Sequence, residues 1–133
     1  MKVNHIGIVV KNLEKSIKYY EEYFSLRLIN PISVDPIQKV RVAFLRQPDQ
    51  KFSFELLEPT GDDSPVMNAL KKGGGLNHIC YEVENISKAI YDLQKKGSKL
   101  ISGPDPAVAF EGNYVAFLFT KGNEVIELVE RYR

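Results

Sequence analysis

From Lys2 to Val10 the chain alternates with a period of two. Val3, His5, Gly7 and Val9 fall on one face, and Asn4, Ile6, Ile8 and Val10 on the other. That pattern, rich in β-branched residues, predicts a strand. The period then changes. Leu13, Ile17, Tyr20 and Phe24 recur at helical spacings, and Asn12 stands where a side chain caps a helix. Further strands are predicted over Leu26–Ile32, stopped by Pro31 and the Asp35-Pro36 turn, over Gln38–Arg46 and over Lys51–Glu58. Ser64-Pro65 opens a short helix through Lys72, which Gly73-Gly74-Gly75 ends. A second series follows: a strand at Leu76–Glu84, a helix at Ile86–Lys96, and strands at Ser98–Ser102, Asn113–Thr120 and Asn123–Glu130. Lys121-Gly122-Asn123 supplies a hairpin turn between the last two. Gly103–Gly112, with two prolines, reads as a loop.

The two series are copies of one another. Asn77-His78-Ile79 repeats Asn4-His5-Ile6 with an offset of 73 residues, and the Asn85–Ile90 hexapeptide echoes Asn12–Ile17 at the same offset. Glu127-Leu128-Val129-Glu130 matches Glu55-Leu56-Leu57-Glu58 at an offset of 72. Such repetition is read first, because it sets the architecture. The expected fold is α+β, one domain over residues 1–133 built of two βαβββ modules that form a curved mixed sheet around a metal site. The first module spans residues 1–59, a connecting helix and Gly-rich turn spans 60–75, and the second module spans 76–133.

The repeat concentrates the chemistry. The chain has two histidines, and both sit in the repeated tripeptide. His5, Glu55, His78 and Glu127 each lie mid-strand among apolar neighbours, where an unpartnered carboxylate would cost several kcal/mol. Two imidazoles and two carboxylates brought together by a pseudo-twofold would satisfy one another around a divalent cation. Two nitrogen and two oxygen donors with room for water suit a six-coordinate ion, Ni²⁺ or Co²⁺ ahead of Zn²⁺.

The remaining composition sets bounds. A net charge of +1 without a basic run gives no reason to expect nucleic acid. The single cysteine, Cys80, forms no internal disulfide, which suits the cytoplasm. The start of the chain reads as a strand with no signal peptide, and no apolar run approaches the roughly 20 residues of a membrane span. The aromatic residues Tyr19, Tyr20, Tyr23 and Phe24 on one helix suggest core and homodimer packing.

The βαβββ repeat, with His near the start and Glu near the end of each copy, resembles the vicinal oxygen chelate superfamily, which includes glyoxalase I and methylmalonyl-CoA epimerase. The resemblance covers essentially the whole chain. It is carried by Asn4-His5-Ile6-Gly7, Phe54–Pro59, Asp63-Ser64-Pro65, Gly74–Ile79 and Ile126-Glu127-Leu128. It implies metal ligands at His5, Glu55, His78 and Glu127, with Glu127 or Glu55 as the base that removes a proton beside a carbonyl. Some epimerases of this group carry a further glutamate on the third strand of the first module. Arg41 is aligned with that place, and a guanidinium is a poor proton carrier. The reading that follows is a glyoxalase I-type isomerisation through a metal-stabilised enediolate. Its substrate would be the hemithioacetal of methylglyoxal with glutathione or another thiol. Lys39 and Arg41 would meet the anionic tail of that hemithioacetal or thioester substrate. Methylmalonyl-CoA epimerase is the alternative. Glutathione recognition meets two departures, Glu22 at the place of an expected Arg and Thr120-Lys121-Gly122-Asn123 before the last strand.

Overall fold

The computed structural model describes residues 1–131. Close packing divides them into two units, one of His5–Asn77 and one of Met1–Asn4 together with the residues from His78 onward.

In the first unit, β1 (Lys2–Val9), which belongs to it from His5 onward, leads through Asn12 into α1 (Leu13–Phe24). The Asn12 side chain accepts from the Lys15 N–H, as its position predicts. Then come β2 (Arg27–Leu28), β3 (Ser33–Asp35), β4 (Val40–Arg46), β5 (Ser53–Pro59) and α2 (Met67–Lys71). The sheet runs β2-β4-β5-β1, with β3 also on β4. The β1–β5 pair is parallel and the others are antiparallel. One face of this sheet buries Ile8, Ala43, Leu45 and Leu56 against Leu13 and Ile17 of α1. Of the strand expected at Leu26–Ile32 only Arg27–Leu28 forms, and a second short piece, Ser33–Asp35, follows beyond it. Arg27 pairs with Arg46 but Ser33 with Val42, so the register slips between them. Pro31, which has no N–H to give a ladder, lies in the gap. The Asp35 carboxylate then accepts from the Ile37 and Gln38 N–H groups and closes the turn into β4.

The second unit repeats the plan with β6 (Gly75–Val83, in this unit from His78), α3 (Ile86–Lys95), β7 (Lys99–Pro106), β8 (Tyr114–Phe119) and β9 (Val125–Glu130), ordered β6-β9-β8-β7. Its core sets Ile86, Ala89 and Ile90 of α3 on Ala116, Leu118, Ile126 and Leu128. The stretch expected to be a loop is partly strand. The seventh strand continues to Pro106, and a short 3₁₀ turn at Val108–Phe110 follows. Register shifts on either side of Ser102 break the alternation there. Gly103 is required at this irregularity. It has a φ of 88°, and a Cβ would stand 2.5 Å from the Val115 carbonyl oxygen. Both units thus follow a βαβββ plan, with the second strand of the first unit split in two, and each sets a helix on one face of a mixed sheet, the α+β class expected. Among the described residues no helix is long and apolar enough to cross a membrane.

Candidate metal and acid–base site

A parallel pair fixes which side chains share a face. His5 stands opposite Ser53, and Gly7 opposite Glu55, so His5, Gly7, Glu55 and Leu57 project away from α1. Phe44 lies opposite Glu55 on the other side of β5 and presents its ring edge-to-face to His5 at 5.4 Å. His5 is fully buried and Glu55 is 5% exposed, and His5 Nε2 lies 3.2 Å from Glu55 Oε1. The second unit builds the same arrangement from its own residues. Cys80 and Phe117 flank Glu127 on the two neighbouring strands, and the His78 ring stands 5.6 Å from Phe117. His78 Nε2 is 3.1 Å from Glu127 Oε1, and both residues are buried.

A carboxylate buried beside an imidazole needs positive charge near it. Either the ring is protonated or a cation is shared between the two donors. Each of the four residues offers one ligand atom. Ligands held at about 2.1 Å and at right angles stand about 3.0 Å apart. The spacing within each His–Glu pair is close to that, so each pair has the donor chemistry and the separation that suit a six-coordinate divalent cation.

Lys39 and Arg41, the expected substrate contacts, are each held by carboxylates. Arg41 faces the α1 side of β4, in step with Ala43 and Leu45, and is opposite Glu58 in the ladder. Its Nε donates to Glu58 Oε1 at 2.7 Å, and its two terminal nitrogens donate to Glu14 at 2.9 and 2.7 Å. The bond to Glu14, with that to Glu58 second, raises the guanidinium pKa further above its usual value, and the same bond lowers that of Glu14. Lys39 takes a φ of 53° at the start of β4 and pairs with the Asp63 carboxylate. Arg41→Ala is therefore expected to lower the thermal midpoint while leaving turnover within about twofold. A steady-state assay beside a melting curve checks this, and a turnover loss without a stability loss would contradict it.

The rings of Phe44 and Phe117 are site residues that strand patterning treats as core. The repeat carries a signal for them, because they are 73 positions apart, the offset of the two histidines.

Residues 4–117 match the sequence model described as Glyoxalase/Bleomycin resistance protein/Dioxygenase superfamily. The mitochondrial methylmalonyl-CoA epimerase of Mus musculus is 34% identical over 131 residues, spanning 96% of this chain and 71% of that one. The ethylmalonyl-CoA/methylmalonyl-CoA epimerase of Cereibacter sphaeroides is 34% identical over 122 residues, 90% of this chain and 89% of its own. The structure of Streptomyces coelicolor methylmalonyl-CoA epimerase in complex with 2-nitronate-propionyl-CoA superposes with a TM-score of 0.85 at 26% identity. That match covers 100% of this chain and 99% of the other. Lactoylglutathione lyases match less well. Those of Arabidopsis thaliana and Schizosaccharomyces pombe are 25% and 28% identical, and the match spans 43% and 47% of their lengths.

These relatives overturn the glyoxalase reading, and the thiol co-substrate falls with it. The structure supplies the physical reason. Arg41 would weaken an epimerase only by standing where an acid is needed, and it points away from His5 and Glu55. The β4 residues on their face are Val40, Val42 and Phe44. The expected class, an enzyme of isomerase type, stands. The chain belongs to the Glyoxalase/Bleomycin resistance protein/Dioxygenase superfamily, the vicinal oxygen chelate group of the expected resemblance.

Proposed function

We propose that this chain epimerises the α-carbon of a 2-alkylmalonyl-CoA thioester, with methylmalonyl-CoA as the leading substrate. The observation that carries the reading is the pair of module-related, buried His–Glu couples, taken with the epimerase names of the relatives at 34% identity. Inverting a carbon that bears one acidic hydrogen needs a base on one face and an acid on the other. The duplicated fold supplies two carboxylates of matched environment, Glu55 and Glu127, and we assign them these two roles. In each turnover one of them takes the α-proton and the other delivers a proton to the opposite face, and the roles exchange with the direction of reaction.

His5, Glu55, His78 and Glu127 would together hold one divalent cation, Ni²⁺ or Co²⁺ by their donor chemistry, which would supply positive charge to balance the anion that develops on the thioester oxygen. His5 Nε2 lies 3.2 Å from Glu55 Oε1 and His78 Nε2 3.1 Å from Glu127 Oε1, so each ring stands beside its carboxylate as a second donor. Phe44 and Phe117 stand edge-to-face to the two imidazoles and limit their rotation. Two copies of the chain would pair through the exposed Tyr19, Tyr23 and Phe24 of α1, an arrangement that sedimentation velocity reads directly and that a monomer's mass would refute. The reaction itself is tested by incubating one enantiomer of methylmalonyl-CoA with cation-loaded protein and following its conversion to an equal mixture on a chiral column. Unchanged enantiomeric purity would refute the proposal.

A further inference from the structure

Three residues beyond each site carboxylate lies a second glutamate, Glu58 after Glu55 and Glu130 after Glu127. Three is an odd number, so on a strand the second glutamate projects to the opposite face, toward the helix. The Glu58 Oε2 accepts the backbone N–H of Leu13 at 2.9 Å, and the Glu130 Oε2 accepts that of Ile86 at 2.8 Å. Leu13 and Ile86 are the first residues of α1 and α3. Each helix already has a cap of its own, since Asn12 and Asn85 accept from Lys15 and Lys88 two residues further in. The strand glutamate therefore serves a different donor, one that water could serve as well at a helix start. Capping alone does not account for it.

The connectivity does. The strand carrying His5 runs straight into α1, and the strand carrying Glu55 is tied by Glu58 to the first residue of that helix. This closes a ring from His5 through Val9, Leu13 and Glu58 to Glu55. The second unit closes the same ring through His78, Val83, Ile86, Glu130 and Glu127. Backbone bonds finish each parallel pair beside it, Val10 N–H to the Leu57 carbonyl and Arg131 N–H to the Val83 carbonyl, both at 2.8 Å. A strand that slipped by one residue would turn its site glutamate to the wrong face. Surroundings differ between the copies, because Glu58 also takes Arg41 while the residue 73 positions on from Arg41 is Tyr114. Both copies share the contact to the helix N–H.

We propose that Glu58 and Glu130 are positioning residues, each setting the separation of the His–Glu pair in its own unit. This rests on the site reading above, so the experiment includes a readout that needs neither cation nor substrate. With two histidines in the chain, ring ¹⁵N signals can be assigned to His5 and His78 singly. Glu130→Ala is expected to shift the His78 signals and leave those of His5 in place, and Glu58→Ala to do the reverse. In folded protein Glu130→Ala should weaken Co²⁺ binding by about tenfold in calorimetry and lower kcat by a similar factor with KM little changed. Glu130→Gln, whose amide oxygen still accepts, should restore most of both. If Glu130→Ala does not fold, Glu130→Asp, one methylene too short to reach, takes its place in the same comparison. A lowered melting point with unmoved His78 signals would overturn the proposal, as would Glu130→Gln behaving like Glu130→Ala. Wild-type protein that binds no Co²⁺ but still shows the unit-specific shifts would instead overturn the cation reading and leave the clamp standing.

Discussion

Glu127→Gln is expected to lower the rate of epimerisation by about 10²–10⁴-fold, the range of a lost general acid or base. The amide matches the carboxylate in size, so folding should be retained. What it cannot do is carry a proton. Glu55→Gln should be as damaging, and together the two variants separate the faces of the substrate. A variant with one carboxylate left can still remove the proton from one enantiomer and return it to the same face. In deuterated water each variant should therefore exchange the α-hydrogen of one enantiomer without inverting it, and the two variants should choose opposite enantiomers. Proton NMR on separately prepared enantiomers checks this. Either variant inverting at the wild-type rate would remove that carboxylate from its role.

Removing one imidazole is the second large effect. Wild-type protein is expected to bind about one divalent ion per chain, and the bound ion should stabilise the fold by about 2.7 kcal/mol at a hundredfold excess over its Kd. His78→Ala deletes a donor and leaves the Glu127 carboxylate buried without its ring, a change that costs about 3–5 kcal/mol where a buried pair is broken. His78→Gln fills more of the space and can hydrogen-bond the carboxylate, which makes it the variant to measure. Its melting point should no longer rise on adding Co²⁺, and its metal content after dialysis should be near zero. Wild-type metal content in His78→Gln would rule out the four-residue site.

The parts of this site that can be read from the chain are those that duplication marks. Two histidines inside one repeated tripeptide, and two glutamates inside one repeated tetrapeptide, are visible in the order of residues alone. The fold sets each His beside its Glu at 3.2 and 3.1 Å. Glu58 and Glu130 belong to the same tetrapeptide, but their partners are helix backbone N–H groups, which no side-chain pattern displays. Arg41 shows a different limit. Alternation already sets it out of step with Val40, Val42 and Phe44, but which of the two faces looks toward His5 depends on the pairing of β4 with β5. The irregular stretches are hidden for a local reason. Pro31 splits one strand, and the register shifts around Ser102 erase the period-two signal of another. Substrate choice is misread from the sequence because it hangs on a single side chain, Arg41, whose direction only the ladder register sets.

One measurement addresses the reaction most directly. Cation-loaded protein is placed in deuterated water with a single enantiomer of methylmalonyl-CoA, and in a parallel tube with the hemithioacetal of methylglyoxal and glutathione. Proton NMR follows the first, and ultraviolet absorbance follows thioester formation in the second. The account predicts loss of the α-hydrogen signal with conversion to both enantiomers in the first tube, and an unchanged hemithioacetal in the second. Thioester formation from the hemithioacetal, with the α-hydrogen of methylmalonyl-CoA untouched, would contradict it.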